Sequence, residues 1–262
     1  MVKNIILSVN ENYNYYGILP IVSAAYRKYY PDSKLIVCAL STIPFDTIKT
    51  FEKYCDNTVI LGQIPGYPTC NQGKMMRFYV ASQYGKETCM INDIDTIPLQ
   101  RIFFEERWVN RPEGTLLAIG AELYNKTKDK GKFPISYMAA EGYVFKQLFD
   151  TGNKTWKEFI ESFKNVKRVD GKENLKNPLG KFSDESLIRV IKSNLKKPIL
   201  HLPRKYRPAI DSIARRSKFS VKRLMQGNYF EAHHLHPIEQ YKNRLIAIAH
   251  YLEMKEPFFI CR

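Results

Sequence analysis

Residues 4–61 alternate short apolar runs with stretches of helical periodicity, and this alternation restricts the fold more than any other feature of the chain. Residues 4–9 (Asn-Ile-Ile-Leu-Ser-Val) read as a buried strand. Residues 19–30 repeat apolar positions at helical spacing, with Pro20 near the start and Pro31-Asp32 as the stop. A second strand at 34–40, a second helix at 45–54 and a third strand at 58–61 continue the pattern. Strands that alternate with helices build a parallel sheet covered on its faces, so the expected class is α/β.

A further strand ends in concentrated charge. Cys89-Met90-Ile91 is an apolar run that breaks at Asn92, and two carboxylates follow, Asp93 and Asp95. In an open α/β sheet, loops leaving the carboxyl ends of strands line the ligand crevice. Paired acidic oxygens at such a place suit a hard divalent cation that bridges to a diphosphate. The same pattern also fits a plain turn, with Asp95 capping it before Pro98 and Asp93 in solvent. Just upstream, residues 71–84 predict a helix on which Lys74, Arg77 and Ala81 share a face, while Met75, Phe78 and Val80 supply apolar packing. The basic face either reaches the acidic crevice or stands in water.

The second half is less regular. Residues 99–108 look helical and 115–120 look like a strand. In 135–145 an apolar strand pattern is interrupted by small residues and by Glu141. A carboxylate amid apolar residues is costly unless paired, so Glu141 belongs to a site or to a salt bridge. Ser183-Asp184-Glu185 opens a helix, with serine as N-cap and acids in the first turn. Three of the five histidines, His233, His234 and His236, fall within four positions. On a strand His234 and His236 share one side, and with a carboxylate pair elsewhere they suit a composite metal site. Pro237 begins a final helix to about residue 254.

At 262 residues the chain suits one elaborated domain. No stretch approaches the roughly 20 apolar residues that cross a bilayer, and the N-terminus enters a strand at once. The expectation is a soluble, cytoplasmic protein, in the host cytoplasm if the source is viral. Five cysteines without Cys-x-x-Cys spacing argue for a reducing compartment and against structural zinc. The net charge of +15 draws anions: nucleoside diphosphates, acidic glycans, an anionic membrane surface or nucleic acid. Cations are densest over 196–223. No zinc-finger spacing or RNA-recognition signature is present, so nucleic acid is not expected.

The first strand with its polar, tyrosine-rich loop, the Lys74/Arg77 helix, Asp93-Ile94-Asp95, Ala139-Ala140-Glu141-Gly142, Ser183-Asp184-Glu185 and the late histidines come in an order that resembles a nucleotide-sugar-dependent glycosyltransferase of the GT-A fold. It is similar to glycogenin-like and related viral or bacterial transferases. The resemblance implies a Rossmann-like, mostly parallel sheet in a single catalytic domain over 1–262. Residues 1–120 would be the nucleotide-binding half, and 121–262 the acceptor side with the C-terminal metal-ligand segment. It implies sugar transfer from a nucleotide diphosphate, a UDP-sugar, to a glycan or other hydroxyl acceptor. Asp93 would lie near the ribose or the metal, and Asp95 would coordinate Mn²⁺ or Mg²⁺, completed by His234 or His236. Val9, Asn10 and Tyr13 would hold the base, with a tyrosine to stack on it, while Lys74 and Arg77 face the donor. Asp184 or Glu185 would be the base or the sugar-positioning acid, with Glu141 as competitor.

The chain departs from the glycogenin-like pattern in lacking a His-x-x-Gly-x-x-Lys-Pro-Trp ending, since Pro237-Ile238-Glu239 follows His236. Two other readings remain. A nucleotidyltransferase also uses a metal-bound carboxylate pair, but it carries a glycine-rich loop after the first strand, and residues 10–16 hold no glycine. A non-catalytic protein would instead bind polyanions or a membrane surface through 196–223.

Overall fold

The computed structural model describes residues 2–101, 104–105, 108, 111–120, 135–163, 188, 191–203, 211–213, 218–233, 235–255 and 257–260. Its first third follows the alternation in the sequence: β1 (Asn4–Val9), the short α1 (Tyr13–Tyr16), α2 (Leu19–Tyr29), β2 (Lys34–Leu40), α3 (Phe45–Phe51), β3 (Asn57–Leu61), α4 (Thr69–Ala81) and β4 (Thr88–Ile91). β5 (Thr96–Pro98), β6 (Leu117–Ile119), β7 (Met138–Glu141), α5 (Gly142–Phe149), α6 (Trp156–Glu161) and β8 (Leu200–Leu202) come next. The last part holds β9 (Asp211–Ile213), α7 (Val221–Met225), β10 (Tyr229–His233) and α8 (Ile238–Tyr251).

Seven strands form the main sheet in the order β3-β2-β1-β4-β7-β6-β8. β7 pairs antiparallel with both β4 and β6, and every other pair is parallel, so β7 alone runs against the rest. The α/β expectation holds, with a mostly parallel sheet.

Alternation of side chains along β1 divides the core between the two faces of that sheet. Ile5, Leu7 and Val9 join Leu19, Val22 and Tyr26 of α2 and Leu245 and Ile248 of α8 on one face. Ile6 points the other way, among Met75, Met76 and Phe78 of α4 and Phe145 and Phe149 of α5. Each of these large side chains contributes roughly 1.5–3 kcal/mol by leaving water. Cys38 and Cys89 are buried and free, as small apolar residues, and burial pushes the Cys89 thiol up to about 12.

The strand expected through 135–145 stops at Glu141, and a helix starts at Gly142. Packing at that junction explains the change. A Cβ on Gly142 would lie 2.7 Å from the Ala81 carbonyl oxygen and 2.8 Å from the Gly85 nitrogen, so only glycine lets α5 begin against the turn after α4.

A second, three-stranded sheet, β5-β10-β9, lies beyond β4. β10 runs antiparallel to β5 with Thr96 opposite His233 and Pro98 opposite Glu231, which brings the end of β10 beside the acidic motif. Within the helix expected over 99–108, residues 104, 105 and 108 are helical, while Leu99 still bonds to the Phe230 carbonyl of this sheet. No helix among the described residues is long and apolar enough to cross a membrane.

Candidate functional site

Topology fixes where the site lies. From β1 the chain moves to β2 on one side, while β4 takes the other, so the order reverses between β1 and β4 and leaves a crevice beyond their carboxyl ends. A cleft of about 240 Å³ occupies that place, walled by Val9 at the end of β1 and Asn10 after it, Tyr15 on α1, Lys74 and Arg77 on α4, and Asp93 and Asp95 after β4. The loop, the basic helix face and the acidic pair singled out in the sequence thus line one space.

Asn92 holds this junction together. It is fully buried, its Nδ2 donates to the Tyr26 hydroxyl at 2.8 Å, and its Oδ1 accepts from the Asp93 nitrogen at 2.9 Å and the Tyr137 nitrogen at 3.3 Å. A polar residue at the end of an apolar strand is tolerated here because its donors and acceptors are matched. Tyr137 meets it with φ of 58°, a left-handed backbone unusual for a bulky residue. That bend places Ser136 at the motif.

The two aspartates have different surroundings. Asp93 Oδ1 receives a charge-assisted bond from Arg77 Nη1 at 2.6 Å, and its Oδ2 accepts from the Ser136 hydroxyl at 3.0 Å. Arg77, 2% exposed, also donates to the Asn92 carbonyl at 2.9 Å. Asp95 is 5% exposed, and its Oδ2 lies 3.6 Å from Nε2 of His236, too long for a hydrogen bond. Tyr15 stands beside His236, with ring centroids 5.6 Å apart. Burial first, then the charges of Asp95 and Asp93, push the Tyr15 hydroxyl above its ordinary pKa, which places it in the field of the acidic pair.

Other expected residues fall elsewhere. Tyr13 does not line the cleft: its hydroxyl donates to the Ile260 carbonyl at 3.0 Å and its ring meets Tyr16 edge-on, so Tyr15 is the tyrosine at the wall. Glu141 pairs across the sheet with Thr88, at the amino end of β4, whereas the site lies past the carboxyl end. There it forms a buried ion pair with Arg111 and accepts from the Gly114 nitrogen at 3.1 Å. Glu141 is therefore the salt-bridged acid, removed from the catalytic set. His233 turns toward Glu231 and Ser212, at 3.2 and 3.0 Å from its Nδ1. Asp184, Glu185 and His234 lie outside the described residues.

Sequence reasoning missed Asn92, Ser136 and Tyr15, and it missed two supports. Gln72, fully buried, donates to the carbonyls of Ile64 and Tyr67 and accepts from the Ile64 nitrogen, fixing the glycine- and proline-rich loop before α4. Glu11 accepts from the Thr42 hydroxyl at 2.8 Å and from the Thr69 hydroxyl, tying the loops after β1 and β2 to the start of α4. Asn92 carried a signal, a polar residue closing an apolar strand. Long-range partners such as Ser136 leave no periodic trace.

Whether a divalent cation fits depends on the donors present. Among the described residues no group of three or more His, Cys, Asp or Glu side chains is placed to hold a metal ion. Asp95 with His236 offers an oxygen and an imidazole nitrogen at 3.6 Å, near the roughly 3 Å that separates adjacent ligands of one ion with bonds of about 2.1 Å. Two protein ligands are enough for an ion that takes its remaining oxygens from a diphosphate and water. Asp93, whose two oxygens accept from Arg77 and Ser136, fits better as a positioning group than as a ligand.

No family model matches the sequence, and no curated protein does. Among solved structures, the chain is similar to an active-site mutant of LgtC, at 11% identity and a TM-score of 0.48 over 97% of each chain. It is also similar to the glycosyltransferase GlyE of Streptococcus pneumoniae, at 10% identity and a TM-score of 0.44 over 77% of this chain and 45% of that one. A third is the 4-diphosphocytidyl-2C-methyl-D-erythritol synthase of Anaerococcus prevotii, at 12% identity and 0.47 over 87% and 94%. At such identity and score the likeness carries nothing about chemistry.

Proposed function

We propose that the chain is a metal-dependent glycosyltransferase of the GT-A type, moving a sugar from a nucleoside diphosphate, a UDP-sugar, to a glycan or other hydroxyl acceptor. One observation carries the reading: at the reversal point of a mostly parallel sheet, Asp95 meets His236 beside a carboxylate anchored by Arg77, in a cleft that also holds Lys74. Mn²⁺ or Mg²⁺ held by Asp95 and His236 supplies, when bound, positive charge for the diphosphate leaving group. Lys74, exposed at the cleft, offers its ammonium to the same phosphates as negative charge develops on them. Asp93, held from both sides, presents fixed oxygen acceptors to donor hydroxyls without reorganising. Tyr15 offers a flat face to the base or sugar. Asp184 or Glu185 is the proposed acid that activates or positions the acceptor hydroxyl. The absence of glycine in residues 10–16 sets this reading apart from nucleotidyl transfer.

The test is release of UDP from UDP-sugars by the purified protein with Mn²⁺. The reading predicts release that EDTA removes and that Asp95→Ala lowers by about a hundredfold or more, in line with loss of one electrostatic stabiliser of a developing anion. Equal turnover in wild type and Asp95→Ala would defeat it.

A further inference from the structure

The net charge of +15 is more than a donor diphosphate needs, and part of it is organised around α7, at the end of β10 remote from His236. This helix is short and turns Leu224 inward, 1% exposed, but it leaves Val221 53% and Met225 64% exposed, one turn apart. These are two of the five large apolar side chains that stand in solvent among the described residues. Lys218 and Lys222 are exposed beside them. Behind them Phe219 stacks on Tyr229 with centroids 6.4 Å apart, Arg223 lies 5.1 Å over the Tyr229 ring and Arg244 lies 5.6 Å over Phe219. Residues 218–226 contain no acid.

We infer that this face docks on a lipid bilayer that carries acidic phospholipid. Charge complementarity selects the occupant together with the apolar pair. Exposed lysines on long stems meet the headgroups, while Val221 and Met225, between them, reach the boundary of the acyl chains, where an aqueous polyanion would gain nothing from them. The surrounding sequence extends the same sign: residues 196–223 hold ten lysines and arginines against the single acid Asp211. The docking is peripheral and reversible, and it weakens as salt screens the headgroups.

The test is co-sedimentation of the full chain with vesicles of phosphatidylcholine alone or mixed with phosphatidylserine. Binding is expected only to the mixed vesicles. Each cation near an acidic surface raises partitioning roughly fivefold, so Lys218→Gln with Lys222→Gln weakens it about thirtyfold. Val221→Ser with Met225→Ser also weakens vesicle binding, while leaving retention on heparin unchanged. All four positions are exposed, and an unaltered melting temperature establishes that each variant is folded. Binding to neither vesicle, equal binding to both, or full vesicle binding by the Val221/Met225 variant overturns the inference. The last outcome, paired with tight heparin binding, would make the face a site for a soluble polyanion instead.

Discussion

Asp93 and Asp95 are the same side chain two positions apart, and their neighbours give them different work. Arg77 and Ser136 hold Asp93 in place; Asp95, almost fully buried, lies 3.6 Å from the His236 imidazole. Glu141 is a third carboxylate, singled out as an acid amid apolar residues that belongs to a site or to a salt bridge, and the structure shows its ion pair with Arg111. Glu141→Ala strands the Arg111 guanidinium, which is 4% exposed, and should cost about 3–5 kcal/mol in chemical denaturation, with UDP affinity per folded molecule unchanged. A loss of UDP affinity at unaltered stability would return Glu141 to the site. Tyr15 is tested by a pair of variants in titration calorimetry. Tyr15→Ala should weaken UDP binding about tenfold, within the roughly 1–3 kcal/mol of an aromatic face on a base, while Tyr15→Phe should leave it nearly intact.

At the scale of elements, α4 and the loops beside it were legible because their signals are local. Helical spacing put Lys74 and Arg77 on one face, and both line the cleft. Glu11 was not legible, since its partners Thr42 and Thr69 are distant in sequence. Burial alone pushes its carboxyl up, but hydrogen bonds from Thr69, its own backbone and Thr42 outweigh that and hold the pKa below its ordinary value. A carboxyl with a lowered folded pKa adds stability that is whole above the unfolded pKa and lost as pH falls through the folded one. Wild type should therefore lose more stability than Glu11→Gln as pH falls from neutral into the range below 4.5, and parallel pH curves would show that the Glu11 bridge is not formed. The strand expected through 135–145 failed for a physical reason as well. Periodicity does not register that Gly142 must fit against backbone at Ala81 and Gly85, which starts a helix there.

For the whole molecule, the alternation over residues 4–61 was enough to foresee the α/β class and the parallel core, because each strand and helix carries its own pattern. The antiparallel β7 and the small sheet that brings β10 beside β5 rest on pairings between distant segments, which a single sequence does not display. The site spans both kinds of information: its acidic and basic sides carry local patterns, whereas the approach of His236 to Asp95 was implied by the resemblance alone and by no local pattern. That approach is also where the central claim is exposed. Thermal denaturation of the protein with UDP, with Mn²⁺, and with both together tests it most directly. A ligand at about 100 times its dissociation constant adds ~2.7 kcal/mol to native stability. The account predicts a large upward shift with UDP and Mn²⁺ together, little with UDP alone, and none of the metal-dependent part in Asp95→Ala. A UDP shift that ignores Mn²⁺ and survives in Asp95→Ala would contradict it.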